Sequence, residues 1–140
     1  MKWTLILDVL AWCWKRRPFK PRRPRLRFLI VEDNRHDAEM LARLLDRNGY
    51  EFDVATTGEA ALAMFEQKKH RMVFVDMRLP LMNGWTVATC ILEQLPDTHV
   101  VMVLGSQDDF VNIEPGYYVP VIIKSVRQEA FLDAIRKSNL

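Results

Sequence analysis

The sequence predicts a doubly wound α/β fold on one parallel sheet of five strands, with a basic leader ahead of it. Three observations carry this reading. From Leu26 onward, five short apolar runs alternate with segments of helical spacing, the order that βα units produce. The central run, Met72-Val73-Phe74-Val75, is apolar on both faces, as a strand covered by helices on each side requires. The length of 140 residues, 49% of them apolar, suits one domain with a single core. With 7 Pro, 5 Gly and 2 Cys, the chain is excluded from the collagen-like, disordered and disulfide-framework classes.

The net charge of +2 hides a division. Residues 1–27 hold nine Lys/Arg and one acid, a net of +8, whereas residues 28–140 hold eleven Lys/Arg and seventeen acids, a net of −6. The boundary is placed between a leader, 1–25, and a domain, 26–140. Within the leader, Trp3 to Trp14 is apolar apart from Thr4 and Asp8. As a helix it would be about 18 Å long, short of the roughly 30 Å of bilayer hydrocarbon. A transmembrane span is excluded, and the basic cluster following the apolar stretch is the wrong order for a cleaved signal peptide. On a helix, Trp3, Ile6, Leu7, Leu10 and Trp14 share one face. Eight basic residues follow from Lys15 to Arg27, interrupted by Pro18, Pro21 and Pro24. That period of three is the polyproline II repeat and forbids a helix. The leader suits either an anionic membrane surface, each Lys/Arg contributing about 1 kcal/mol there, or a protein partner.

Each element of the domain has its own signal. Leu26 to Val31 is a buried-strand candidate, and Ala38, Leu41, Leu44 and Leu45 have helical spacing up to Asn48-Gly49, a natural stop. Phe52 to Ala55 is a short strand, and Thr57-Gly58-Glu59 opens a helix carrying Ala61, Leu62, Met64 and Phe65. After the central strand, a loop from Met77 to Gly84 leads to a helix through Val87, Cys90, Ile91 and Leu95, ended near Pro96. Val100–Leu104 and Val119–Ile123 are the last strands, and Arg127–Lys137 is the last helix, burying Phe131, Leu132 and Ile135.

In such sheets, ligands sit beyond the carboxyl ends of the strands. Glu32 and Asp33 follow the first strand, Asp76 the third, Gly105-Ser106 the fourth and Lys124 the fifth. Were strands one and three neighbours, three carboxylates would converge, and two such charges about 4 Å apart repel by about 4 kcal/mol at a dielectric of about 20. A hard divalent cation, Mg²⁺ above all, suits that cluster. An acid pair, a lone Asp, a metal and a lysine fit phosphoryl transfer onto a carboxylate. Taken singly, each residue also has a plainer role: Asp33 or Asn34 as a helix cap, Asp76 as a turn residue, Lys124 as a surface lysine. Their joint placement at strand ends favours the site.

Leu29-Ile30-Val31-Glu32-Asp33-Asn34 and Val73-Phe74-Val75-Asp76-Met77-Arg78-Leu79-Pro80-Leu81-Met82-Asn83-Gly84 resemble the blocks that mark the receiver domain of two-component response regulators. The resemblance covers about residues 26–140. It implies a flavodoxin-like sheet of order 2-1-3-4-5, which makes strands one and three neighbours. It further implies that Asp76 accepts phosphate from a histidine kinase or histidine phosphotransfer protein in a cytoplasmic phosphorelay. Glu32, Asp33, Asp76 and the backbone carbonyl of Arg78 would hold Mg²⁺, Lys124 would pair with the phosphoryl oxygens, and Pro80 and Gly84 would shape the loop. No enzymatic activity is implied beyond self-catalysed phosphoryl transfer to and from Asp76.

Four departures fall on the face that reports phosphorylation in this family. Strand four closes on Val103-Leu104-Gly105-Ser106, where the family has a Thr or Ser. Aligned by the apolar run, Leu104 or Gly105 takes that place, and only a shift makes Ser106 the phosphate-binding hydroxyl. The fourth helix is shortened to about 108–113. Val121 stands where the switch aromatic is expected, with Tyr117 and Tyr118 nearby, and Ser125 replaces the usual proline.

The remaining candidates are plain. His36, His70 and His99 lack ligand spacing, so no zinc site is expected. Cys13 and Cys90 read as a leader-helix residue and a buried thiol, and Trp85 reads as core. No DNA-binding module is expected after the last helix. The leading expectation is a single-domain response regulator that signals by protein contact, in the cytoplasm and peripheral to the membrane if the leader binds lipid. The alternatives are a non-switching pseudo-receiver serving as a constitutive binding or scaffold module, and a metal-dependent phosphatase, which lacks a dedicated general acid.

Overall fold

A computed structural model of the protein describes residues 26–112, 116, 118–125 and 128–140. The readings of the leader, Cys13 and Tyr117 lie outside the described residues. The elements are β1 (Arg27–Val31), α1 (Arg35–Arg47), β2 (Glu51–Ala55), α2 (Gly58–Lys68), β3 (Met72–Asp76), α3 (Gly84–Gln94), β4 (His99–Leu104), a 3-10 helix (Gln107–Asn112), β5 (Val121–Ile123) and α4 (Gln128–Lys137). The strands form one sheet of order β2-β1-β3-β4-β5, and every neighbouring pair is parallel. This is the flavodoxin-like order expected from the sequence.

Side-chain alternation along the strands divides the core into two layers. Leu29, Val31, Val73, Val75 and Met102 face Phe65 of α2 and Trp85, Val87 and Ile91 of α3. Phe28, Ile30, Phe74, Val101 and Val103 face Leu41 and Leu45 of α1 and Phe131 and Ile135 of α4. Phe74 stacks on Phe131 at 4.5 Å between ring centroids. Burial on both faces explains why β3 reads as an unbroken apolar run.

Helix starts are set by polar caps. Asn34 accepts the His36 and Asp37 N–H groups, Thr57 that of Ala60, and Asn83 that of Thr86, each satisfying donors that the first turn leaves open. The capping job thus falls to Asn34 and leaves Asp33 free. After α1, Gly49 takes φ +75°, a backbone conformation that favours glycine.

Two expectations need correcting. The fifth strand begins at Val121 and not at Val119, because Pro120 has no N–H to offer a ladder; its carbonyl still accepts the Met102 N–H. Cys90 is half-buried and not a core thiol, lying at the margin of the α3 face that buries Val87 and Ile91. The shortened fourth helix is present as the single 3-10 segment Gln107–Asn112.

The end of the sheet opposite the candidate site holds an ionic cluster. Asp53 accepts from Lys68 Nζ at 2.6 Å, His70 Nε2 at 2.8 Å and Arg27 Nη1 at 3.3 Å. A carboxylate only accepts, so His70 carries its proton on Nε2. The imidazole is fully buried against the Phe65 ring, and burial pulls its pKa below the ordinary value, with Asp53 pulling the other way. A depressed folded pKa means that the unfolded chain binds the proton more readily. Stability is therefore present above about pH 6.5, the unfolded value, and declines as pH falls through that value. We expect wild type to lose stability between about pH 7 and pH 5, and His70→Gln to show a flatter slope there, both read by urea denaturation. Equal slopes would contradict this.

Candidate functional site

The carboxyl ends of β1, β3, β4 and β5 meet at one rim. Parallel pairing of β1 with β3, Val31 opposite Val75, brings Glu32 and Asp33 beside Asp76. One carboxylate oxygen of each of the three lies within 4.8 Å of the others. Glu32 and Asp76 are buried while Asp33 is exposed, so the cluster opens to solvent on one side.

The buried carboxylates are held by specific donors. Glu32 Oε1 accepts the Asn34 N–H at 3.0 Å, and Asp76 Oδ1 accepts the Arg78 N–H at 3.2 Å. Lys124, directly after β5, reaches Asp76 Oδ2 at 3.0 Å, Asp37 Oδ2 at 3.0 Å and Glu32 Oε2 at 3.1 Å. Burial, opposed by the Asn34 N–H and assisted by the Asp76 charge, pushes the Glu32 carboxyl up to about 7. Burial works against the Lys124 ammonium, yet hydrogen bonds to Asp37, Asp76 and Glu32 raise its pKa above the ordinary lysine value. Lys124 is thus no simple surface lysine. It is the local counter-ion of an acidic rim.

The loop after Asp76 is tightly folded back on it. The Pro80 carbonyl accepts the Met82 N–H across Leu81, whose φ is +67°, the form of the rare γ-turn. Leu81 is almost completely exposed. The Gly84 N–H donates to the Met77 carbonyl at 2.8 Å, and a Cβ on Gly84 would stand 1.9 Å from the Asp76 carbonyl oxygen. The backbone approach to Asp76 therefore requires glycine.

Of the positions weighed for a strand-end hydroxyl, Leu104 is core and Gly105 stands at the end of β4. The N–H groups of Gly105 and Ser106 both donate to Asp109 Oδ2, at 3.0 and 3.2 Å. Oδ1 of Asp109 accepts Nε and Nη2 of Arg78, at 2.9 and 2.7 Å. Val121 packs against the core and Ser125 takes φ +69°. Trp85 is core, as expected.

The structure thus gathers Glu32, Asp33, Asp76 and Lys124, with Arg78, Pro80 and Gly84 in the adjoining loop. Sequence reasoning missed Asp37, Asp109 and the Arg78 side chain. Asp37 sits in the first turn of α1, one turn beyond Asp33, and that spacing was the available signal. Asp109 had none, since its partners come from loops whose approach depends on the strand order.

Comparison with known proteins bears on the family and the fold. The family described as the response regulator receiver domain matches residues 28–136. A response regulator receiver protein of Anaeromyxobacter sp. (strain Fw109-5) is 45% identical over 114 residues, 81% of this chain and 40% of that protein. The sensory transduction protein RegX3 of Mycobacterium tuberculosis (strain ATCC 25618 / H37Rv) is 46% identical over 91 residues, 63% of this chain and 40% of that protein. The chain therefore spans well under two thirds of these curated relatives. Among solved structures, the receiver domain of NtrX from Brucella abortus superimposes with a TM-score of 0.72 at 26% identity, covering 79% of this chain and 96% of that one.

Proposed function

The chain belongs to the response regulator receiver domain family, and from that premise we propose that it accepts a phosphoryl group on Asp76 in a phosphorelay. The observation that carries this reading is the shared contact of Lys124 with Asp76, Glu32 and Asp37, beside a carboxylate cluster able to take a hard cation. Asp76 is the nucleophile. One of its carboxylate oxygens attacks the phosphorus of a phosphohistidine, the P–N bond breaks, and the imidazole leaves, while Asp76 becomes an acyl phosphate. Lys124 neutralises charge on the transferred group, and the Arg78 N–H orients the carboxylate. The short loop closed by Gly84 holds Asp76 at the end of β3.

Glu32, Asp33, Asp76 and the Arg78 carbonyl are the residues that would hold Mg²⁺. When bound, the ion supplies further neutralisation of charge on the phosphoryl oxygens. The donor is a histidine kinase or histidine phosphotransfer protein, and the setting is the cytoplasm. We assign residues 1–27 a separate contact, with an anionic membrane surface or a protein partner. Among the described residues, no helix is long and apolar enough to cross a membrane. The test is intact mass after incubation with phosphoramidate, in Mg²⁺ and in EDTA. A single phosphoryl adduct formed with Mg²⁺ supports the reading, and no adduct in either buffer sinks it.

Lys124 also gives a stability prediction. Lys124→Met removes the cation shared by three carboxylates. We expect a loss of about 1–3 kcal/mol in metal-free buffer, below the range for a fully buried pair because Lys124 is partly exposed. Mg²⁺ should restore most of that loss by binding the folded state alone. Urea denaturation with and without Mg²⁺ measures this, and a loss unchanged by Mg²⁺ would contradict it.

One observation favours a second reading, a constitutive binding module. Gly105 brings no hydroxyl to the end of β4, and its N–H, with that of Ser106, is already held by Asp109.

A further inference from the structure

The side chain of Asp109 is 2% exposed, and a carboxylate so covered is tolerated only when its oxygens are satisfied. Here they are, by four donors from two different loops. Oδ1 receives Nε and Nη2 of Arg78, from the loop after β3. Oδ2 receives the N–H groups of Gly105 and Ser106, from the loop after β4. Asp109 itself lies in the 3-10 helix Gln107–Asn112. The contact therefore ties the loop that follows Asp76 to the segment that follows β4.

The two partners are unequal. The Arg78 side chain is 74% exposed, so the guanidinium can turn without opening the core, whereas the carboxylate cannot leave without moving its helix. Arg78 is two residues beyond Asp76 and feels its charge as well as the stronger pull of Asp109. An acyl phosphate at Asp76 replaces a single negative charge by about −2 and adds three acceptor oxygens. Lys124 is already shared among three carboxylates, and no strand-end hydroxyl stands at Gly105.

We propose that the Arg78–Asp109 contact is a latch that phosphorylation of Asp76 opens, releasing the segment Gln107–Asn112 as the output surface. The inference rests on phosphorylation at Asp76. With Asp76 bare, the guanidinium satisfies Asp109. With Asp76 phosphorylated, the guanidinium turns to the phosphoryl oxygens, and Asp109 keeps only the two N–H donors of Gly105 and Ser106. A buried carboxylate so depleted is costly, and the 3-10 helix relieves this by carrying Asp109 into water. The ligand shifts the equilibrium because it interacts differently with the two states. Asp109 is here a positioning residue that acts through Arg78.

The test is residue-resolved hydrogen exchange on the full chain, with phosphoramidate and Mg²⁺ as the loading reagents and intact mass measured on the same samples. Loading wild type should accelerate exchange of the Gly105 and Ser106 amides at least about tenfold. Asp76→Asn treated in the same way should show no change. Asp109→Ala, which removes both acceptor oxygens, should show the fast exchange before loading. A merely structural role for Asp109 would not make its donors respond to phosphate. Should Asp109→Ala fail to fold, the wild-type and Asp76→Asn arms decide alone. A phosphoryl adduct on wild type with unchanged exchange overturns the latch and leaves the proposed function standing. No adduct on wild type overturns both.

Discussion

Treated with Mg²⁺ and phosphoramidate, wild type is expected to gain one phosphoryl group and Asp76→Asn to gain none. Asparagine keeps the shape of the side chain and can still accept the Arg78 N–H, but a neutral amide is no nucleophile toward phosphorus. The neighbouring acids do not substitute for Asp76. Glu32 is buried, spends Oε1 on the Asn34 N–H and turns Oε2 to Lys124, so it presents no free oxygen to a phosphoryl donor. Asp33 is exposed and takes no contact from Lys124 among those described. The loss of loading should be complete within detection, since the residue removed is the atom donor itself. The fold should survive: Asp76→Asn removes an attraction to Lys124 and a repulsion from Glu32 together, and its stability should stay within about 1 kcal/mol of wild type. Persistent loading of the variant would move the acceptor elsewhere.

Gly84→Ala is the second large effect, and it is structural in origin. The added Cβ would lie 1.9 Å from the Asp76 carbonyl oxygen, 2.7 Å from the Asp76 carbonyl carbon and 2.9 Å from the Met77 Cα. All three are backbone atoms, so no side-chain rotation relieves the clash. The start of α3 must retreat from β3, breaking the hydrogen bond from the Gly84 N–H to the Met77 carbonyl. We expect a destabilisation of about 2–4 kcal/mol by urea denaturation. In whatever fraction stays folded, phosphoryl loading should slow, because the loop that fixes Asp76 has shifted. Wild-type stability in Gly84→Ala would contradict the close approach on which the loop's role depends.

These two residues show what the sequence makes legible. Asp76 and Gly84 belong to a continuous stretch from Val73 to Gly84, in which strand, acceptor and close approach follow one another within a few residues. Local order of that kind is written in the chain. The sheet could be read for the same reason: β3 and β4 are apolar on both faces, and the caps Asn34, Thr57 and Asn83 precede their helices directly.

What escaped is what depends on distance. Arg78 and Asp109 are 31 residues apart and Lys124 and Asp37 are 87 apart, so neither pair exists until the strand order brings their loops together. Asp53 and His70 are likewise unremarkable in the sequence, and become an ionic cluster only because β2 flanks β1 at the sheet edge. Val119 is apolar enough to read as strand, but the missing N–H of Pro120 keeps it out of the ladder. Chemistry at strand ends can thus be located from the pattern, while its second partners require the fold.

With Asp76 as the phosphoacceptor, the modified side chain itself can be identified. An acyl phosphate on aspartate is reduced by borohydride to homoserine, and peptide mapping then finds the altered position. Homoserine is expected at position 76 in protein loaded with phosphoramidate and Mg²⁺, and none in unloaded protein. Homoserine at another aspartate, or phosphate recovered on a residue other than Asp76, would contradict it.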